Sequence, residues 1–327
     1  MAGTREFADK ENRKEEMAAA IEDWITDLSN GVEEVLQSEE FKNHLEVMAS
    51  FHTYSRNNQY LISAQYPNAT RVAGFNTWKN DFNRTVKEGE SAIWIWAPIT
   101  TGKCPECGNS EKYHNIEDCD YTEEDPEDWS SGVVGFRPVP VFDVSQTEGE
   151  PLPELDTETM GDSNGLLPAI CNAADSLGVP SVKITDTENW DHGSARGVSY
   201  TQDGSIEAVN RDNKADLTTT LIHETAHTML HSNISADNKP EKEKREVEAE
   251  ATAYVVGRHF GLDMSGSEFY LAAWIGDKTE IIEDRLNRIS NTAQKIITAT
   301  ENYLENNEEN SQNEENKPET RQGQIPG

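Results

Sequence analysis

Two stretches decide the fold of the second half of the chain: HETAHTMLH at 223–231 and REVEAEATAYVV at 245–256. His223 and His227 stand four residues apart among Leu217, Leu221, Ile222, Met229 and Leu230, an apolar spacing of three and four. On such a helix both imidazoles leave the same face. Paired nitrogen donors suit Zn²⁺ with one position left to water. Glu224 is angled toward that water rather than toward the metal, and can take its proton as a carbonyl is attacked. The next helix offers a third ligand. Glu246 and Glu250 share one face there, and Glu246 follows His227 by 19 residues, enough for a turn and an antiparallel return. Glu246 is thereby assigned to the metal and Glu250 to a hydrogen bond with a ligand histidine. Glu248 points away and is expected on a solvated face, and His231 is expected in packing or at the surface.

Upstream, residues 12–66 have helical periodicity (Met17, Ile21, Trp24, Ile25, Leu28; Phe41, Leu45, Met48, Phe51), with a third helix from Ser55 to before Pro67. Strands are predicted at 71–73, 91–98 and 133–143, with a helix at 77–83 between the first two. Pro, Gly, Thr and acids dominate 145–165 and mark a linker. A helix at 166–177, a strand at 181–185 and a hairpin (196–201 and 205–209, turning at Asp203-Gly204) precede the HExxH helix. The period is helical from 217 to 303, broken near 232–239 and 261–266. Together these predict an α+β chain. An α+β domain at 12–144 carries an insertion at 100–131. A mainly helical domain with a small antiparallel sheet follows at 166–304, then a disordered acidic tail at 305–327.

The chain has 327 residues, with 28 Lys+Arg against 61 Asp+Glu and a net charge of −33. That length suits about two domains of roughly 150 residues plus a tail. Its longest apolar run is 92–99, far short of the ~20 residues that span a bilayer. The first residues lack the apolar core of a signal peptide, so a cytoplasmic protein without a membrane partner is expected. Acid spread along the whole chain fits a halophilic cytosol at molar salt better than mimicry of DNA.

Four cysteines do not make a disulfide framework in so long a chain. Cys104, Cys107, His114 and Cys119 form C-x2-C-x6-H-x4-C inside the insertion, the donor set of a second, structural zinc. A redox CxxC is the alternative, without a thioredoxin-like βαβ pattern around it. Cys171 is expected to be an inert core thiol.

Between Lys42 and Lys103 lie seven basic and four acidic residues, so this segment is positive inside an acidic protein. Aromatics interleave with the cations, which suits single-stranded DNA held by phosphate contacts and base stacking. Arg56, Asn57, Tyr60, Trp78, Lys79, Arg84 and Lys87 are the candidate contacts. Any single aromatic here is more often core than stacking platform, and Trp94 and Trp96 alternate with isoleucines in a strand apolar on both faces.

HETAHTMLH, REVEAEATAYVV and YLAAWIGD (270–277) resemble the zincin-like metallopeptidase half of ArdC-type antirestriction proteins, related to the ImmA/IrrE peptidases. The stretch from Tyr54 through Pro98, and VFDVSQTEGEPLP at 141–153, resemble the single-stranded-DNA-binding domain that precedes it. The resemblance spans roughly 16–300. It implies zinc on His223, His227 and Glu246 in a gluzincin-like site, with Glu224 as catalytic acid/base. It also implies a peptide substrate aligned along the hairpin before the motif helix. A DNA-binding protein with a zinc peptidase, protecting or processing incoming or mobile-element DNA, is the expected function. The alternatives are a regulatory peptidase that cleaves a repressor, and a non-catalytic antirestriction protein whose zinc is structural.

Overall fold

The computed structural model describes residues 5–7, 9–30, 34–114, 119, 121, 125–152, 163–200, 202–232, 240–265, 267, 269 and 271–315. Much of the linker, parts of the insertion, the 233–239 break and the last twelve residues of the expected tail lie outside them. The chain forms two compact units, Met1–Pro153 and Glu154–Gly327, of mixed α/β character with small sheets. Among the described residues no helix is long and apolar enough to cross a membrane.

The first unit opens with helices α1 (Arg13–Asn30), α2 (Glu34–Ser50) and α3 (Arg56–Gln65). The apolar spacing in α1 buries Met17, Ile21, Trp24, Ile25 and Leu28. Then come β1 (Val72–Ala73), α4 (Phe75–Asn80), β2 (Arg84–Val86), β3 (Ile93–Gly102), β4 (Ser131–Asp143) and β5 (Thr147–Gly149). Strands β3 and β4 make a long antiparallel ribbon, Ile93 opposite Val141 and Gly102 opposite Ser131, with the insertion at its tip. Ile93, Ile95 and Val141 face a core of Val47, Phe51, Ile62, Ala69 and Val72. Trp94 and Trp96 point the other way and are half-buried, and the Arg13 guanidinium lies 3.5 Å from the Trp94 ring centre.

Helix α3 closes the outer edge of β3 with two side-chain amides. Asn58 donates to the Trp96 carbonyl and accepts from its N–H, both at 2.8 Å. Gln65 does the same for Trp94, at 2.9 Å each way. Backbone groups that an edge strand would leave bare are thus satisfied. Asp143 anchors the far end of β4, accepting from the amides of Thr70 and Arg71 and capping the turn at 144–146.

The second unit runs α5 (Ser163–Ser176), β6 (Val182–Thr185), β7 (Gly197–Ser199), β8 (Ile206–Val209), α6 (Lys214–His231), α7 (Lys242–His259) and α8 (Thr279–Glu315). The expected hairpin is present as β7 and β8. The sheet is mixed rather than antiparallel, because β6 pairs in parallel with β8, which lies in the centre. Buried Ile206 and Ala208 account for that central place. Asn213 starts α6, its side chain accepting from the Asp216 amide. Helix α8 continues to Glu315, eleven residues into the stretch expected to be disordered. Extending an existing helix through good formers such as Glu needs no new nucleus.

Candidate functional site

The α6–α7 pair brings the predicted donors of the second unit together. One donor atom from each of His223, His227 and Glu246 lies within 4.8 Å of the others. The Glu246 carboxylate sits 3.3 Å from His227 Nε2 and 3.6 Å from His223 Nε2. Glu250 lies 3.1 Å from His223 Nδ1, behind the ring, leaving Nε2 to face inward. Although burial pulls it down, hydrogen bonds to Glu246 and Glu250 push the His223 pKa up to about 10. Contacts with His223 and His227 hold the Glu246 carboxyl far below its usual range. In both cases positive charge is wanted where the three groups converge. Two imidazole nitrogens and a carboxylate oxygen at these separations fit a divalent cation of the zinc type.

Glu224 is buried, and burial pushes its carboxyl up to about 7. The strand β7 passes directly over it. A methyl group built on Gly197 would come within 2.7 Å of Glu224 Cγ and of Thr220 Cγ2, and 2.8 Å of Glu224 Oε1. Gly197 is therefore a site residue that the sequence reading missed. An isolated glycine in a strand signals close approach, and that signal was there to use. A cleft of about 600 Å³ runs along this strand, lined by Arg196, Gly197, Thr220, His223, Glu224 and Glu250 among others.

Glu248 corrects an expectation. It is fully buried, bonded to Arg285 and 3.3 Å from Arg288, and not solvated. The reason is α8, whose packing against the back of α7 could not be read from the period of α7 alone. His231 is buried beside it.

In the first unit the insertion gathers Cys104, Cys107, His114 and Cys119, with one donor atom of each within 4.8 Å of the rest. The Cys104 and Cys119 sulfurs are 3.9 Å apart, and Cys107 Sγ lies 3.5 Å from His114 Nδ1. Ligands around a zinc with ~2.3 Å bonds are about 3.8 Å from one another, so the set fits. Burial works against a Cys104 thiolate, but the amides of Cys107 and Glu106 outweigh it and lower its pKa. Trp129 and Tyr121 cover the cluster. Cys171 is only half-buried.

The candidate DNA contacts divide. Tyr60 is buried and stacked on Trp24 at 4.5 Å, and Trp78 is 2% exposed with its indole N–H on the Phe142 carbonyl. Arg56 is buried next to His44. None of these three can meet a base, which corrects their assignment. Each sits on the inward face of a short helix, where the core takes the large side chains. Asn57 is half-buried and Lys79 exposed. Arg84 donates to the carbonyls of Thr147 and Glu150, and Lys87 to that of Ser145. Two further aromatics of this segment are exposed, Phe75 at 48% and Phe82 at 39%.

Residues 11–128 match the family model described as the N-terminal domain of anti-restriction factor ArdC. That segment contains all seven candidate DNA contacts and the Cys/His cluster, while the α6–α7 site lies beyond it. An uncharacterised protein of Bacillus anthracis, pXO2-81, is 26% identical over 90% of this chain and 53% of its own length. The chain thus spans about half of that relative. Two crystal structures of the antirestriction ArdC protein from plasmid R388 are similar. The metal-free form is 17% identical with a TM-score of 0.44, covering 78% of this chain and 86% of the other. The Mn(II)-bound form is 16% identical with a TM-score of 0.43, covering 77% and 84%.

Proposed function

We propose that the second unit is a zinc-dependent peptidase and that the first binds single-stranded DNA, as in an ArdC-type antirestriction protein. The observation that carries the peptidase reading is the convergence of His223, His227 and Glu246 on one point, with buried Glu224 beside it under an edge strand. A zinc ion there would be held by those three side chains and would supply Lewis acidity to a water and a carbonyl. Glu224 takes the proton of the attacking water and returns it to the leaving amine. A carboxyl near neutrality is suited to both steps. Glu250 fixes the ring of His223, and β7 offers its free edge to an extended peptide. An intact Glu224 favours catalysis over a purely structural zinc, which has no use for a carboxylate there.

The test is metal analysis beside a peptide-cleavage assay. Glu224→Ala should keep the α6–α7 zinc and lose activity, whereas His223→Ala and Glu246→Ala should lose that zinc. Full zinc occupancy in Glu246→Ala would refute the site.

For DNA, support comes from the α4–β2 segment, where exposed Phe75, Phe82 and Lys79 precede Arg84 and Lys87. Cations that track a backbone beside exposed rings are the pattern of single-strand binders. Phe75 and Phe82 replace Tyr60 and Trp78 as the stacking groups. The Cys/His cluster is read as a second, structural zinc.

A further inference from the structure

The two helices that carry the metal ligands pack in part through Ala226, Leu230 and Ala249. Small side chains let helices approach closely, but they specify rotation and register poorly. The site demands both. Ligand bonds of 2.0–2.2 Å tolerate about 0.2 Å, whereas a slip of one residue moves Glu246 by ~1.5 Å along the axis and swings it ~100° around it. A contact that ties α7 and α6 to a third element would fix both.

The group placed to do so is the ionic cluster on the opposite face of α7. Glu248 lies between Glu246 and Glu250 in sequence and is fully buried. Arg285 of α8 donates to its Oε1 and also reaches Asp277 at 3.3 Å. Asp277 is held in turn by Lys244, at the start of α7, at 2.7 Å. Arg288, one turn further along α8, is 3.3 Å from Glu248 Oε2. Its other nitrogen donates to the Leu230 carbonyl, at the end of the HExxH helix, and lies 3.4 Å from His231 Nδ1. One guanidinium therefore touches both ligand-bearing helices. His231 is buried beside the pair, its Nε2 3.6 Å from Glu248 Oε2.

We propose that Arg285 and Arg288 are positioning residues of the α6–α7 metal centre: by gripping Glu248 and the end of α6, they set the rotation and register that bring Glu246 over His223 and His227. The inference rests on reading that centre as a zinc site. Buried ion pairs give little net stability compared with apolar residues of the same volume, but they are well suited to fixing one register among several. This cluster fits that use, since it ties both ligand-bearing helices to α8.

The test separates metal affinity from folding. Zinc affinity is measured by competition with a chromophoric chelator, with His223→Ala identifying the signal of this centre. Cobalt substitution reports its geometry, and urea unfolding of the metal-free protein reports stability. Arg288→Met, at a side chain 25% exposed, should fold. It should bind zinc about 10–100-fold more weakly, beyond what any loss of metal-free stability accounts for, and show an altered cobalt spectrum. Arg288→Lys should recover part of the affinity. The combined variant Glu248→Leu/Arg285→Met/Arg288→Leu should keep the stability and not the affinity. Folded Arg288→Met with zinc affinity within about twofold of wild type would overturn the proposal. So would a loss of affinity matched by an equal loss of metal-free stability. Wild-type protein that binds no more zinc than His223→Ala would overturn the metal-centre reading, and the proposal with it.

Discussion

Adding one methyl group at Gly197 should disable Glu224 while leaving the metal ligands alone. The added carbon would stand 2.7 Å from Glu224 Cγ and Thr220 Cγ2, and 2.8 Å from Glu224 Oε1. Carbon contacts are comfortable from about 3.5 Å, so roughly 0.8 Å of separation must be found. Thr220 is on the helix itself, and its hydroxyl is tied to the Asp216 carbonyl and to Arg211, so it yields little. Most of the shift falls on Glu224, or on β7 moving away and opening the cleft. A displacement near 1 Å at a reacting group costs about 100-fold in rate. Gly197→Ala should therefore lower kcat about 100-fold, with zinc content unchanged and stability reduced by about 1–3 kcal/mol for the overpacking. Turnover of quenched-fluorescent peptides, read against zinc per chain, measures both. The double variant Gly197→Ala/Glu224→Ala should be no slower than Glu224→Ala, because both act through one carboxylate. Unchanged turnover in the alanine variant, or loss of the zinc, would refute this reasoning.

Cys104→Ser/Cys107→Ser should reduce bound zinc from two to one per chain, and a wild-type content of one would exclude the insertion as a zinc site. Phe75→Ala/Phe82→Ala should weaken binding of a short single-stranded oligonucleotide, by about 1–3 kcal/mol per stacked base, with the thermal midpoint unchanged. Trp78→Ala should instead destabilise the first unit by about 3–5 kcal/mol, and its core position would be wrong if urea unfolding were unaffected. Glu207 accepts from Lys183, Thr185 and Tyr200, which lowers its pKa to about 2 from the ordinary 4.5. Its stabilising effect is complete above pH 4.5 and is lost as the pH falls toward 2. Glu207→Gln should accordingly be less stable than wild type at neutral pH, with melting temperatures converging over that acid window.

The shared face of His223 and His227 on α6 was legible because a four-residue histidine spacing fixes one face of a helix, whatever surrounds it. Glu246 and Glu250 were legible for the same reason. Glu248 was not, since only α8, more than thirty residues on, makes its position an interior one. Tyr60 and Trp78 show the same limit for aromatics. A ring among cations suits both a base and a core, and the choice depends on partners such as Trp24 and the Phe142 carbonyl that no local window contains. The parallel pairing of β6 was hidden behind a hairpin signal that described only two of three strands. Gly197 stood in plain view as a residue type, but its reason is an atom of Glu224, 27 positions away.

The amides of Asn58 and Gln65 set a chemical boundary on the acidity of this chain. Each holds one peptide unit of β3 by giving a hydrogen and taking one. Aspartate or glutamate would match them in shape and fail in kind, since an ionised carboxylate only accepts and would confront the Trp96 or Trp94 carbonyl with like partial charge. In a protein with 61 acidic residues these are positions where one more would loosen helix from strand. Spontaneous deamidation at Asn58 places an acid there without any change in the gene, so loss of a single ammonia is enough to open the clamp at Trp96 and leave Gln65 alone to hold α3 to the sheet edge.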